Sequence, residues 1–329
     1  MKLRSVLCTC LLWLYMANIN AQSCCTGGAG SCSVASSSSS ILPELDKDLM
    51  GLHYSYSAYN TTSYPGMNMN GIDMTLIGSG VPTKGTMNSL ELFGRLNLPK
   101  RFQLSVNLPV HFLKEQSSEA TERSAGLGDL TVTAGYSFFD PKKSLDKKSK
   151  HQLRVAIGIK APTGKFSMTN NGLFTTDLQL GTGSVDFLFN VNYTYRYRQF
   201  GVNVASMYKK NLANKDHYRF GDNVGAGLTL FYVCLLPKGF TLTPKVGTTY
   251  NHMFYNVYNK DELKGTGGDV LRCTAGIDLY YKDFAFSTSV APVLMTINNW
   301  EGEPVPVLSF EAGFYYSFNH LIHRIKKSK

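Results

Sequence analysis

Between Phe102 and Phe112 the chain alternates without a break. Phe102, Leu104, Val106, Leu108, Val110 and Phe112 are apolar, whereas Gln103, Ser105, Asn107, Pro109 and His111 between them form a second, mostly polar row. A helix would scatter these side chains around its circumference; a strand sends successive residues to opposite faces and separates the two sets cleanly. The pattern recurs. Leu130, Val132, Ala134, Tyr136 and Phe138 oppose Asp129, Thr131, Thr133 and Ser137, and Leu153, Val155, Ile157 and Ile159 oppose Gln152, Arg154 and Lys160. Val185 to Tyr195 and Leu308 to Phe318 repeat it. About twelve such segments are predicted, at roughly 51–59, 86–98, 102–113, 128–139, 151–162, 184–196, 199–210, 223–234, 239–251, 268–281, 284–294 and 306–318. No helical pattern of useful length lies between them, which excludes a parallel α/β sheet.

The connections carry independent information. Pro99-Lys100-Arg101, Arg196 to Gln199, Leu235 to Lys238 and Lys282-Asp283 are short. The stretches 60–85, 114–127, 163–183, 211–222, 252–267 and 295–305 are longer and polar, and the lysine-rich 140–150 is the exception among the short class. Short turns alternating with long loops are the order of an outer-membrane barrel, turns in the periplasm and loops outside. A strand of about 11 residues at ~3.3 Å per residue, tilted about 45°, rises roughly 25 Å, the height of the apolar band of such barrels. No apolar run reaches the ~20 residues of a spanning helix, and mean hydropathy is −0.13, so any membrane span must come from strands. A soluble sandwich would have strands of about 5 or 6 residues. The fold predicted is all-β: a transmembrane, antiparallel, up-and-down β-barrel of about twelve strands over 49–318. Such a barrel has a small lumen, far below that of a 16-stranded porin.

The N-terminus points the same way. Lys2 and Arg4 precede a short apolar run, Val6 to Ala17, and Ile19-Asn20-Ala21 ends in a small residue. This predicts a signal peptide, 1–21, cleaved after Ala21 and leading to the Gram-negative outer membrane. A rival reading is a lipoprotein signal acylated at Cys24. Removing 1–21 lowers the formal charge from +10 to about +8. Much of the excess sits in Lys142, Lys143, Lys147, Lys148 and Lys150 and in a basic tail, 319–329; with no recognisable nucleic-acid-binding fold, nucleic acid is not an expected partner. Residues 22–48 are rich in Cys, Gly and Ser and lack apolar periodicity, which predicts a flexible periplasmic arm. Cys24, Cys25 and Cys32 within it fit disulfide chemistry with one thiol left over. The other reading is a soft-metal site, with Cu(I) held by thiolates, which would make the barrel a structural or copper-handling one.

Catalytic chemistry is not foreseen. Gly126, Gly128, Gly164, Gly181 and Gly183 lack the following helix that a phosphate loop requires and read as glycines easing bends and loop exits. His53, His111, His151, His217, His252, His320 and His323 form no metal-spaced pair on one strand, and no hydrolase signature adjoins His111. No cofactor is expected. Cys234 and Cys273 fall on predicted lipid-facing positions. Facing inward by the period of two are Glu91, Arg95, His111, Asp129, Arg154, Lys160, Asp186, Arg196, Lys245, Arg272 and Glu311. Their mixed signs suit either pairing across the interior or the lining of a narrow passage.

The middle of the chain carries a set of motifs. Gly126-Leu127-Gly128-Asp129-Leu130 opens one strand, Pro162-Thr163-Gly164 closes the next, and Gly181-Thr182-Gly183-Ser184-Val185-Asp186 opens a third. This order resembles the outer-membrane transporter family named for the meta-cleavage pathway of phenol degradation, most closely over 85–200. The resemblance implies a β-barrel passing aromatic or other hydrophobic small solutes and implies no catalytic residue. Expected partners are outer-membrane lipid, a small solute and the barrel-assembly machinery. Barrels of this kind often end on an aromatic; Phe318 holds that place, and Asn319 to Lys329 continue past it.

Overall fold

A computed structural model describes residues 48–63, 66–68, 75–77, 81–118, 120–139, 149–166, 178–263, 266–298 and 305–318. Twelve of its strands close a barrel: β1 Asp48–Ser63, β2 Val81–Asn97, β3 Phe102–Gln116, β4 Leu130–Ser137, β5 Ser149–Ala161, β6 Asp186–Tyr197, β7 Phe200–Asn211, β8 Asn223–Tyr232, β9 Phe240–Met253, β10 Gly268–Tyr281, β11 Phe284–Asn298 and β12 Val305–Phe318. Every strand pairs antiparallel with its sequence neighbours. β12 returns to β1, from Asp48↔Phe318 to Asn60↔Val305, and this pairing closes the sheet and leaves no free edge.

Each of the twelve segments read from the alternation coincides with one strand, and several run further at the loop end. β1 and β2 pair out to Ser63↔Val81, so much of the stretch 60–85 is hairpin. The stretch 114–127, read as a loop, is a hairpin too. β3 continues to Gln116, and Thr121–Leu127 pairs with it before the break at Gly128-Asp129. Backbone groups that leave a barrel rim keep pairing while a partner strand is present, whatever their side chains; side-chain polarity therefore underestimates strand length there.

The outer surface explains the apolar rows. Leu92, Val106, Phe112, Ile157, Ile159, Phe187, Phe189, Leu228, Val246, Ile277, Leu294 and Phe314 are all exposed, an apolar area that water would not tolerate and hydrocarbon does. Ile157 is 64% exposed while Lys160, on the opposite face of the same strand, is 1% exposed. Free Cys234 and Cys273 are both partly exposed.

The short-turn rim has its own chemistry. Lys100, Arg198, Lys238 and Lys282 take left-handed backbone conformations in the four tight turns. A phenylalanine opens the strand after each: Phe102, Phe200, Phe240 and Phe284. These rings pack with neighbours along the rim, Phe102 on Tyr136, Phe200 on Tyr232, Phe240 stacked on Tyr281 at 4.2 Å, and Phe284 on Tyr316. The Arg198 guanidinium and the Lys282 ammonium lie over Tyr197 and Tyr281. Amphipathic rings at one level with cations beyond them form an interfacial girdle and set the lower edge of the apolar band.

Candidate lumen and its inward loop

The family-type motifs meet at one place, the loop-side third of the lumen. The fourth barrel strand breaks at Gly128-Asp129. Thr163 repairs the break: its hydroxyl donates to the Gly128 carbonyl at 2.8 Å and accepts the Leu130 N–H at 2.8 Å. Pro162 places Thr163 there, just past the end of β5. The break turns Asp129 inward. Its Oδ1 accepts Gly164 N–H and its Oδ2 accepts Thr182 N–H, each at 2.9 Å. Asp129 thereby holds both ends of the segment that follows β5.

Lys160 completes the knot. Its ammonium lies 3.0 Å from Asp129 Oδ2, donates to Thr182 Oγ1 at 2.7 Å and contacts Asp186 Oδ2. Ser184 Oγ donates to Asp186 Oδ1 at 2.8 Å and Leu212 N–H reaches the same oxygen at 3.2 Å. Two carboxylates face one ammonium, and the extra negative charge is met by these N–H and O–H donors. Lys160, Asp129 and Asp186 are all fully buried. A buried charge is tolerable only when paired and hydrogen-bonded in this way.

Small residues make the approach possible. Gly164 and Gly181 cross so closely that a Cβ on Gly164 would lie 2.8 Å from the Gly181 Cα. Gly183 adopts φ +68°, a left-handed conformation that glycine takes without strain. Beyond the knot, Leu178 and Leu180 pack on Leu113 and Met87 inside the barrel. Asn214 ties the next loop on, through Nδ2 to the Thr182 carbonyl at 3.2 Å and through Oδ1 to Tyr218 N–H at 3.0 Å. Phe166, Tyr218 and Phe220 then form an aromatic cluster, the latter two rings 5.0 Å apart and buried. Asn256 Oδ1 accepts Gly221 N–H at 2.7 Å and joins a third loop to this lid.

Below the lid the lumen wall carries paired charges. On one side His53 lies 3.5 Å from Glu91 Oε2 and 3.9 Å from Glu311 Oε2. Asn107 donates to Glu91 at 3.0 Å, and Ser289 to Glu311 at 3.4 Å. Lys245 Nζ meets Asp278 Oδ1 at 2.7 Å and Ser287 Oγ at 3.1 Å. His111 Nδ1 is 2.6 Å from Ser89 Oγ. Lower still, Arg154 reaches across Gly135 to donate to Gln103 Oε1, and Arg95 is fully buried. Arg196 and Arg272 face inward opposite Gly201 and Thr249, each half-buried.

All eleven residues singled out by period lie on the inward face. The structure brings Asp129, Lys160 and Asp186 together and separately joins Glu91 with Glu311 through His53. Arg196 lies further along the inward face of β6. His53, Asp278 and Asn214 were not singled out, and Thr182 and Ser184 stood only inside the quoted motif. His53 and Asp278 lie on the inward rows of their strands and were legible by the same alternation; Thr182 and Asn214 are loop residues with no periodic signal. Cys24, Cys25 and Cys32, the arm, the signal segment and the tail lie outside the described residues.

The likeness to solved structures is one of fold. An outer membrane channel from Pseudomonas putida F1 is 16% identical and superposes with a TM-score of 0.58 over 83% of this chain and 96% of that one. The β domain of the Bordetella autotransporter BrkA reaches a TM-score of 0.45 at 11% identity, over 83% of this chain and 100% of that one. The CymD monoaromatic hydrocarbon channel reaches 0.39 at 7%, over 85% and 91%. No curated protein matches in sequence. The family model described as "Putative MetA-pathway of phenol degradation" matches residues 90–272, more than half of the chain and the whole of the motif set that builds the knot, and the chain belongs to this family.

Proposed function

We propose that the barrel is a narrow outer-membrane channel for small solutes, apolar or aromatic ones foremost, with no catalytic step. The observation that carries this reading is the division of surfaces: an apolar outside, a charged and hydrogen-bonded inside, and loops folded into the mouth by the Asp129–Lys160–Asp186 knot. A barrel serving only as an anchor has no need of a lid locked from within. Glu91, Arg95, His111, Arg154, Arg196, Lys245, Arg272 and Glu311 line the passage in this reading. The short-turn rim with its aromatic girdle faces the periplasm, where the arm 22–48 also lies. Lipid on the outer face, a small solute in the lumen and the assembly machinery at Phe318 are its partners. The P. putida relative of the same fold is described as a channel, and the family description points to phenol degradation.

Planar-bilayer conductance and swelling of protein-loaded liposomes test the reading together. Purified protein should give small, discrete conductance steps, and phenol-sized solutes should enter liposomes faster than disaccharides. Lys160→Met leaves Asp129 and Asp186 buried without a cation, a loss on the order of 3–5 kcal/mol in soluble proteins. It should free the lid and raise single-channel conductance at least twofold while the barrel stays heat-resistant on gels. A folded protein with neither conductance nor solute entry, in wild type and variant alike, overturns the channel.

A further inference from the structure

The periplasmic third of the lumen holds a guanidinium that no hydrogen bond satisfies among the described residues. Arg95, on β2, is 1% exposed, and its Nε, Nη1 and Nη2 have no hydrogen-bond partner. A guanidinium carries five N–H donors in a planar fork shaped for a carboxylate. Buried without a hydrogen-bonded carboxylate, it keeps much of its desolvation penalty, which Asp48 offsets only through space. The charged and ionisable groups acting on Arg95 are Arg154, Asp48 and Tyr315. Asp48 does not reach the guanidinium with a hydrogen bond, and one of its oxygens accepts the Asn97 N–H at 2.7 Å. Arg154 adds a second positive charge and spends Nη1 on Gln103. The region therefore attracts an anion.

The surroundings of Arg95 select among anions. Leu49, its register partner on β1, is buried in a cluster with Ala285 and Tyr315. Phe93, two residues from Arg95 on the same face, and Tyr280 pack against that cluster. Phe93 and Tyr315 meet edge to face at 6.3 Å. An apolar aromatic wall thus adjoins a guanidinium with no hydrogen-bond partner, with a second cation nearby. Phosphate or sulfate would gain from the charges and nothing from the rings; a neutral aromatic would gain the reverse.

We propose that Arg95, backed by Arg154 and walled by Phe93, Tyr280 and Tyr315, is a binding station for an aromatic carboxylate in the lumen. It rests on the channel reading and sharpens it: the cargo includes acids of the benzoate type as well as neutral aromatics. The carboxylate takes the Arg95 fork, and the ring lies along Phe93 and Tyr315. Arg154 draws anions in from the periplasmic mouth or hands them on to it.

Binding to the purified full-length protein in detergent separates this claim from transport. Titration calorimetry with benzoate, acetate and benzyl alcohol isolates the two halves of the site, the charge and the ring. Benzoate should bind at least tenfold more tightly than either. Arg95→Met should weaken benzoate at least tenfold and leave benzyl alcohol unchanged, and Phe93→Ala should bring benzoate down towards acetate. Arg95→Lys, which keeps the charge and loses the fork, gives the comparison if Arg95→Met fails to fold, and should also weaken benzoate severalfold. Equal affinity for benzoate and benzyl alcohol in the wild type, or unchanged benzoate affinity in a folded Arg95 variant, overturns the station. Wild-type conductance without benzoate binding sinks the station alone; benzoate binding without conductance or solute entry sinks the channel alone.

Discussion

Adjacent residues on one strand of this barrel meet different solvents. Val106 is 38% exposed and faces lipid, while Asn107 donates to Glu91 inside the lumen. Val106 also sits near the middle of the apolar band that starts at the Phe102 girdle. A charge on the lipid face near the midplane costs about 2–4 kcal/mol, falling towards the interfaces. Val106→Arg should lower folding stability in lipid vesicles by about that amount. Asn107→Arg should cost much less, because it points into a polar lumen beside a carboxylate. Urea titration of both variants in vesicles measures the difference, and equal effects would show the register to be shifted by one residue.

At the scale of elements, the described ends of the segment after β5 and the loop after β7 are tied to the barrel by buried hydrogen bonds. The knot uses backbone N–H groups of Gly164 and Thr182 on a single carboxylate, so small displacements break several bonds together. Gly181 is one close approach within the knot: a Cβ there would collide with Asp129 Oδ1 and come within 2.8 Å of the Gly164 carbonyl oxygen. Gly181→Val should dislodge this loop without touching a barrel strand. The expected result is a larger and noisier single-channel conductance with unchanged heat resistance on gels. An unaltered conductance trace would mean that the loop does not obstruct the passage.

The whole molecule depends on closure. β1 and β12 pair over nearly their full length, and the first pair is Asp48↔Phe318. The sheet is therefore complete without anything before Asp48. Deleting 22–47 should leave a heat-resistant barrel, checked by gel migration before and after boiling. Loss of the folded band would show that the arm is part of the barrel's stability. The same variant separates two roles for the arm. A rise in conductance marks a plug, a fall in bound copper at constant conductance marks a thiolate metal site, and no change in either leaves a linker.

The strand count, the strand centres and the inward or lipid-facing sense of almost every barrel residue follow from the sequence alone. The reason is physical: a wall one sheet thick, with hydrocarbon on one side and a polar lumen on the other, imposes a strict period of two on every strand. That period placed Lys160 and Asp186 inside, but it carries no information about which inward residues meet, because barrel closure and shear set those distances. Asp129 and Thr182 are 53 residues apart and share a hydrogen bond; Phe93 and Tyr315 touch because β1 lies between their strands and pairs with both. The loop anchors Asn214 and Asn256 left no trace in the pattern, since a loop has no period. Only the tertiary structure decided that the glycine motifs lock a loop into the mouth, and that Arg95 is a buried guanidinium with no hydrogen-bond partner among the described residues.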